Sequence, residues 1–228
     1  MAAPKAYDQP TLNGAWEAFV AHVPTILLIW IATAVLSGVG FAVYSLITLL
    51  GLGIAGGGSA GDHALGLAAA LGQLGQLPFT VLSSLVGVLF IAVPALHYDS
   101  GDVITVQAAF AALMRRPLRY LLAGVLFTLV LTIGFLLCIV PGIVVALVMP
   151  IYVNRIFLTD QSITDAFAAS FRAVYRSEQG RTYAGIEILA WLLVVVVSVC
   201  TCGLGALLAV PVSSFYLQNA AYNKGVIS

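Results

Sequence analysis

Six apolar runs, at about 24–52, 78–98, 117–138, 141–158, 182–200 and 203–221, set the terms on which this chain can fold. Crossing the hydrocarbon core of a bilayer takes about 20 apolar residues in a helix, and these runs meet or approach that length. They are continuously apolar rather than alternating apolar and polar, so they predict helical spans and not the strands of a barrel. With 61% hydrophobic and 8% charged residues, the chain carries more apolar surface than a soluble fold could hide. The run from residue 24 exceeds a signal-peptide core and lacks a small-residue cleavage site, which predicts a retained first span. The fold expected is an all-α integral membrane protein of about six transmembrane helices, in one polytopic domain over residues 1–228.

The breaks between runs carry the next layer of information. Residues 139–142 and 200–205 are too short to be anything but tight turns of helical hairpins. Between the first two runs, residues 54–61 (IAGGGSAG) read as a flexible glycine-rich loop, and residues 65–77 as a short re-entrant or interfacial helix.

Two motifs recur in step with the runs. Leu12, Ala15, Trp16 and Ala18 share the order apolar-x-x-Ala-aromatic-x-Ala with Val106, Ala109, Phe110 and Ala112, and with Ile163, Ala166, Phe167 and Ala169. Each extends into a helical stripe: Leu12, Trp16, Phe19; Val106, Phe110, Leu113; Ile163, Phe167, Phe171, Val174. Ser162 and Asp165 supply a capping pair for the third. The second motif ends in proline, at Pro94, Pro150 and Pro211, with Tyr98, Tyr152 and Tyr216 shortly after. The unit is an amphipathic helix, a span, a turn and a proline-kinked span. Its three degenerate copies fall at about 11–100, 102–158 and 160–221, the first carrying the insertion at 53–77.

Charge sets the orientation. All nine cations (Lys5, Arg115, Arg116, Arg119, Arg155, Arg172, Arg176, Arg181 and Lys224) fall on one side of the six-span arrangement. The loops near 53–64, 139–142 and 200–205 hold none. By the positive-inside rule both termini and the three amphipathic helices are cytoplasmic, in a bacterial-type inner or a thylakoid membrane. Net charge is zero, so nothing points to nucleic acid.

Candidate chemistry is sparse. Gly51, Gly53 and Gly56 match a dinucleotide fingerprint in letters only, because no strand precedes them and no acid follows at the required distance. Cys138, Cys200 and Cys202 share the non-cytoplasmic end, but the hairpin turns offer no histidine or carboxylate to complete a metal set. They read as packing residues. Asp62 and His63 read as part of a solvated loop, and His22 and His97 as interfacial imidazoles. Glu187 lies inside the fifth run, where a carboxylate is a functional candidate by default. A shallow pairing with a cytoplasmic arginine is the plainer expectation. Arg115, Arg116, Arg119, Arg172, Arg176 and Arg181, on or beside the amphipathic helices, are the candidate contacts to anionic lipid headgroups or to a protein partner. No catalytic constellation is present, and no cofactor or metal is called for.

The stretch PGIVVALVMP, a short polar break and then DAFAASFRAVYRS resembles a bacterial membrane-domain family. That family comprises the integral membrane domain of glycerophosphoryl diester phosphodiesterases and stand-alone relatives. The matching residues are Pro141, Gly142, Pro150, Asp165, Ala166, Ser170, Phe171 and Arg172, and the likeness covers roughly 110–225. It implies a six-helix membrane module with a lipid-related or accessory role. The phosphodiesterase domain and its acidic metal motifs are absent, so the activity does not carry over. The expected function is therefore a non-enzymatic scaffold or accessory subunit touching lipid or a larger membrane complex. The rival is a small-molecule or ion transporter or channel using the broken helices and Glu187.

Overall fold

The computed structural model describes residues 3–55 and 61–227, helical nearly throughout and with no strand among them. After a 3-10 turn, Pro4–Tyr7, the elements are α1 Leu12–Ala21, α2 Val23–Ala55, α3 Gly61–Gly87, α4 Leu89–Ser100, α5 Val106–Arg115 and α6 Pro117–Leu137. Then come α7 Ile139–Ala146, α8 Met149–Leu158, α9 Ile163–Tyr175, α10 Glu178–Cys200 and α11 Ala206–Asn223. Among the described residues five stretches are long and apolar enough to cross a membrane: Val23–Gly53, Leu65–Ser100, Pro117–Leu137, Ile139–Leu158 and Glu178–Cys200. The chain divides into two compact units, Met1–Ile26 with Val88–Ser228, and Leu27–Gly87.

The smaller unit is an antiparallel pair of long helices, and here the sequence reading needs correction. Residues 65–77 do not form a separate short helix, and 61–64 are helix rather than loop; one helix runs from Gly61 through Pro78 to Gly87. Small residues explain the continuity. Gly40 faces Phe79, Gly51 faces Ala68, and Gly72 faces Thr48 and Tyr44, each too close for an added Cβ. Glycine-lined faces let membrane helices approach closely along their length, which offsets the hydrogen bond lost at Pro78. Ser37 and Ser83 hydroxyls meet at 2.9 Å and reinforce the register. Side chains of 54–64 lie outside the described residues, and Asp62 and His63 with them.

In the larger unit the α6–α7 turn is tighter than expected. Cys138 alone is extended, and helix resumes at Ile139, with Pro141 and Gly142 already inside it. Gly134 and Gly142 touch backbone to backbone, since a Cβ on Gly134 would stand 3.1 Å from Gly142 Cα. Proline breaks the following helix, α7 ending at Ala146 and α8 opening at Met149 and Pro150. Pro94 and Pro211 instead lie inside unbroken α4 and α11. At the α10–α11 turn the Thr201 hydroxyl donates to Val197 O at 2.7 Å and accepts from Gly205 N at 2.6 Å, closing both helices.

The last helix departs most from the expectation of a continuously apolar span. Its second half is buried nearly all round, Phe215 and Leu217 to Tyr222 included. Its polar side chains are paired: Gln218 Nε2 donates to Pro150 O at 3.0 Å, and Asn154 Nδ2 donates to Gln218 Oε1 at 3.1 Å and to Tyr222 Oη at 3.3 Å. Asn219 Nδ2 donates to Ala6 O at 2.9 Å, tying the N-terminal turn to this helix. These amides are why α11 is not apolar enough to stand among the five.

Three short helices share one way of starting. Thr11 Oγ1 accepts from Gly14 N, Thr105 Oγ1 from Ala108 N and Ser162 Oγ from Asp165 N, each satisfying a free donor of the first turn. The face each buries runs from the shared alanine to one larger residue further on, Phe19, Leu113 and Val174. Ala15, Ala109 and Ala166 are 2%, 0% and 0% exposed, whereas Leu12 and Trp16 are 63% and 45% exposed. A methyl group allows close helix approach, and the aromatic neighbour is left to flank the contact or face outward.

Candidate functional site

The larger unit places its charges by topology. Helix α6 begins beside Arg116 and Arg119, α8 ends after Arg155, and α10 begins with Arg181 in its first turns. The same end receives Lys5 through the tie of Ala6 to Asn219, and Lys224 at the close of α11. Gly180 brings α9 and α10 together: a Cβ there would collide with the carbonyls of Ala173 and Val174. That contact sets the end of α9, which carries Arg172 and Arg176, against the start of α10, which carries Arg181.

The arginines are not equivalent. Arg115, Arg116, Arg172, Arg176 and Arg181 are exposed, and Arg119 and Arg155 are half-buried. Arg116 Nη1 pairs with Asp160 Oδ1 at 2.5 Å, and Arg119 Nη2 donates to Thr159 O at 2.8 Å. These two therefore fasten the start of α6 to the break between α8 and α9, a job the sequence reading did not assign them. The exposed Arg116–Asp160 pair adds little stability. Sequence reasoning counted Arg155 only as a topogenic charge. In the structure it is half-buried on the last turn of α8, its Nε without an acceptor. The signal was there, an arginine beside an asparagine closing an apolar run, but its burial comes from the helices packed on α8.

Glu187 differs from expectation too. It is 0% exposed, the last of a buried stripe made by Gly180, Tyr183, Ala184 and Glu187 on α10. No arginine pairs with it: among the described residues the only ion pair is Arg116–Asp160. Tyr183 lies one turn back, yet neither its hydroxyl nor either Glu187 oxygen finds a partner of hydrogen-bonding distance and angle. Tyr175 of α9 is close by, its hydroxyl donating to Val144 O at 2.7 Å. Burial first, then the Glu187 carboxyl, push the Tyr175 phenol up to about 12.

His22 is fully buried rather than an interfacial imidazole reaching for water, while His97 stays partly exposed with Nδ1 2.8 Å from Asp102 O. Their rings meet at 4.8 Å against Phe215. His22 Nε2 accepts from Ile104 N at 2.9 Å, so the proton sits on Nδ1, which donates to Ala18 O at 2.7 Å. Thr25 Oγ1 donates to Ile104 O at 2.9 Å, and the two contacts clamp residue 104 from both sides. Burial, more than the neighbouring His97, lowers the His22 pKa, against the Ala18 carbonyl.

Cys138, Cys200 and Cys202 are exposed and free, which corrects the packing reading. No group of metal-binding side chains occurs among the described residues. Gly51 and Gly53 lie within helix α2, so the glycine triplet begins inside a membrane-type helix, and Gly56 lies outside the described residues.

The chain is thus a helical protein that has, among the described residues, five helical stretches long and apolar enough to cross a membrane, of the multi-pass class. No family of known proteins, no curated protein and no solved structure matches it.

Proposed function

We propose that this protein is a non-enzymatic multi-pass membrane scaffold or accessory subunit whose arginine-bearing short helices rest on anionic lipid headgroups at the cytoplasmic face. One observation carries the reading. In the larger unit the cations gather at one end, with Arg115, Arg172, Arg176 and Arg181 exposed, while the turns at the other end hold none. Guanidinium groups beside apolar spans meet phosphate, and each contributes about 1 kcal/mol of attraction to an anionic surface. The three hydroxyl-capped short helices, each burying an alanine, support three copies of one unit and hence six crossings. Under this reading α11 crosses with its polar half shielded by protein. The resemblance to the membrane domain of glycerophosphoryl diester phosphodiesterases favours the same module without the hydrolytic activity.

The test is the lipid that stays with the protein. In nanodiscs of mixed phosphatidylcholine and phosphatidylglycerol, the anionic lipid should be enriched around the natural chain. Replacing Arg115, Arg176 and Arg181 together with Gln should remove most of that enrichment. An unchanged lipid ratio would count against the reading.

A second reading, transport, is favoured by Glu187, a fully buried carboxyl beside Tyr183 with no ion-pair partner among the described residues, in a membrane helix. It requires ion or solute flux in proteoliposomes that Glu187→Gln abolishes. Equal flux in both proteins, or none in either, would eliminate it.

A further inference from the structure

The junction of α6, α8 and α9 carries positive charge that the protein does not neutralise. Arg119 and Arg155 are half-buried, and the Nε of each is shut off from water with no acceptor. Arg119, on α6, reaches the end of α8 one turn beyond Arg155. The Arg119 fork holds Thr159 O, and Thr159 in turn donates both its N–H and its hydroxyl to Arg155 O, at 3.0 and 2.7 Å. Arg172 of α9 is near enough for its charge to act on Arg155. The carboxylates beside this junction are engaged elsewhere, Asp160 with Arg116 and Asp165 with the Ser162 hydroxyl at 2.6 Å. Two guanidinium groups on neighbouring helices thus keep a buried N–H without an acceptor, with the charge of a third, Arg172, acting on one of them and no ion pair to an acid among the three.

A guanidinium is always charged and offers five N–H donors in a rigid fork that suits the oxygens of a phosphate. Like charges held together in a half-buried place call for an anion, and one with several oxygens can serve several forks at once. We infer that Arg155, flanked by Arg119 and Arg172, forms a seat for one phosphate group, that of an anionic lipid headgroup. The lipid source follows from depth, since Arg155 closes an apolar membrane-type stretch and so sits where headgroups begin. The seat rests on the lipid-surface reading above but is narrower: one tightly held lipid, distinct from the loose enrichment produced by the exposed arginines.

The experiment uses the full chain, purified from nanodiscs containing phosphatidic acid and phosphatidylcholine, delipidated stepwise in detergent and weighed intact by mass spectrometry. The natural protein should keep one phosphatidic acid after the bulk lipid is gone. Arg155→Gln should lower that occupancy at least tenfold, and Arg172→Gln, at an exposed position that does not endanger folding, several-fold. Arg176→Gln with Arg181→Gln should leave the single adduct while reducing the looser enrichment. Retention of the adduct in both Arg155→Gln and Arg172→Gln would overturn the seat even if the looser enrichment persists. No adduct on the natural protein would overturn it as well. A parallel arm, in phosphatidylcholine alone with inorganic phosphate added, separates the sources: saturable phosphate binding there, without phosphatidic acid retention in the first arm, would make this a free-phosphate site and overturn the lipid assignment.

Discussion

At Gly134 a single methyl group would stand 3.1 Å from the Cα and N of Gly142, and backbone cannot step aside as a side chain can. Gly134→Ala should therefore open the α6–α7 hairpin and destabilise the protein by about 1–3 kcal/mol, the usual range for overpacking. Gly124→Ala, on the same helix with nothing within 4 Å of the added carbon, is the control and should change stability by less than about 0.5 kcal/mol. Thermal unfolding in detergent compares the two. His22 gives a second prediction. Its folded pKa lies below the ordinary 6.5, so on acidification the unfolded chain takes up the proton first. The stability held by this clamp is complete above about pH 6.5, falls as pH drops below it, and levels off once the folded form is protonated too. The imidazolium could no longer accept from Ile104 N, and it would face His97 with Phe215 alongside. Unfolding temperature measured from about pH 8 to about pH 5 should decline in the natural protein, and His22→Gln should flatten that decline. Residue chemistry of this kind was only half legible. Histidine at the end of an apolar run was visible, but its partner Ile104 lies 82 positions away.

At the scale of the element, the hydroxyl caps are the most readable signals, since Ser162 with Asp165 was evident from spacing alone. Replacing an N-cap by alanine costs about 1 kcal/mol, so Ser162→Ala should speed amide exchange at Asp165 about fivefold and leave α5 unchanged. Equal exchange in both proteins would show that packing, not the cap, holds the start of α9. The helix faces were less readable. Spacing sets Leu12, Trp16 and Phe19 on one stripe, yet of these only Phe19 is buried, together with Ala15. In a membrane protein size does not mark the inside, because lipid accepts leucine and tryptophan as readily as a core does. The same ambiguity hid the length of α3. Proline and two glutamines looked like the end of a short helix, and only the glycine-lined contact with α2 shows why the helix goes on.

For the whole molecule, orientation is the testable quantity. If the cationic end is cytoplasmic, Cys138, Cys200 and Cys202 open to the other side. A membrane-impermeant maleimide should label them from outside intact cells or right-side-out vesicles. Inverted vesicles should label only after permeabilisation. The reverse pattern would turn the protein over and move the arginine seat to the other leaflet. What the sequence determined by itself was the solvent and the secondary structure: apolar runs this long need a bilayer, and a bilayer admits only backbone that satisfies itself, so helices follow. It also determined the one-sided placement of charge, because the runs order the loops between them. Tertiary structure alone decided which side chains are left without partners. Arg155 and Glu187 look alike in sequence, each a charge at or inside an apolar run. Their difference, one half-buried among other arginines and one sealed in with tyrosines, comes from neighbouring helices, because burial and charge balance belong to the groups packed around a residue.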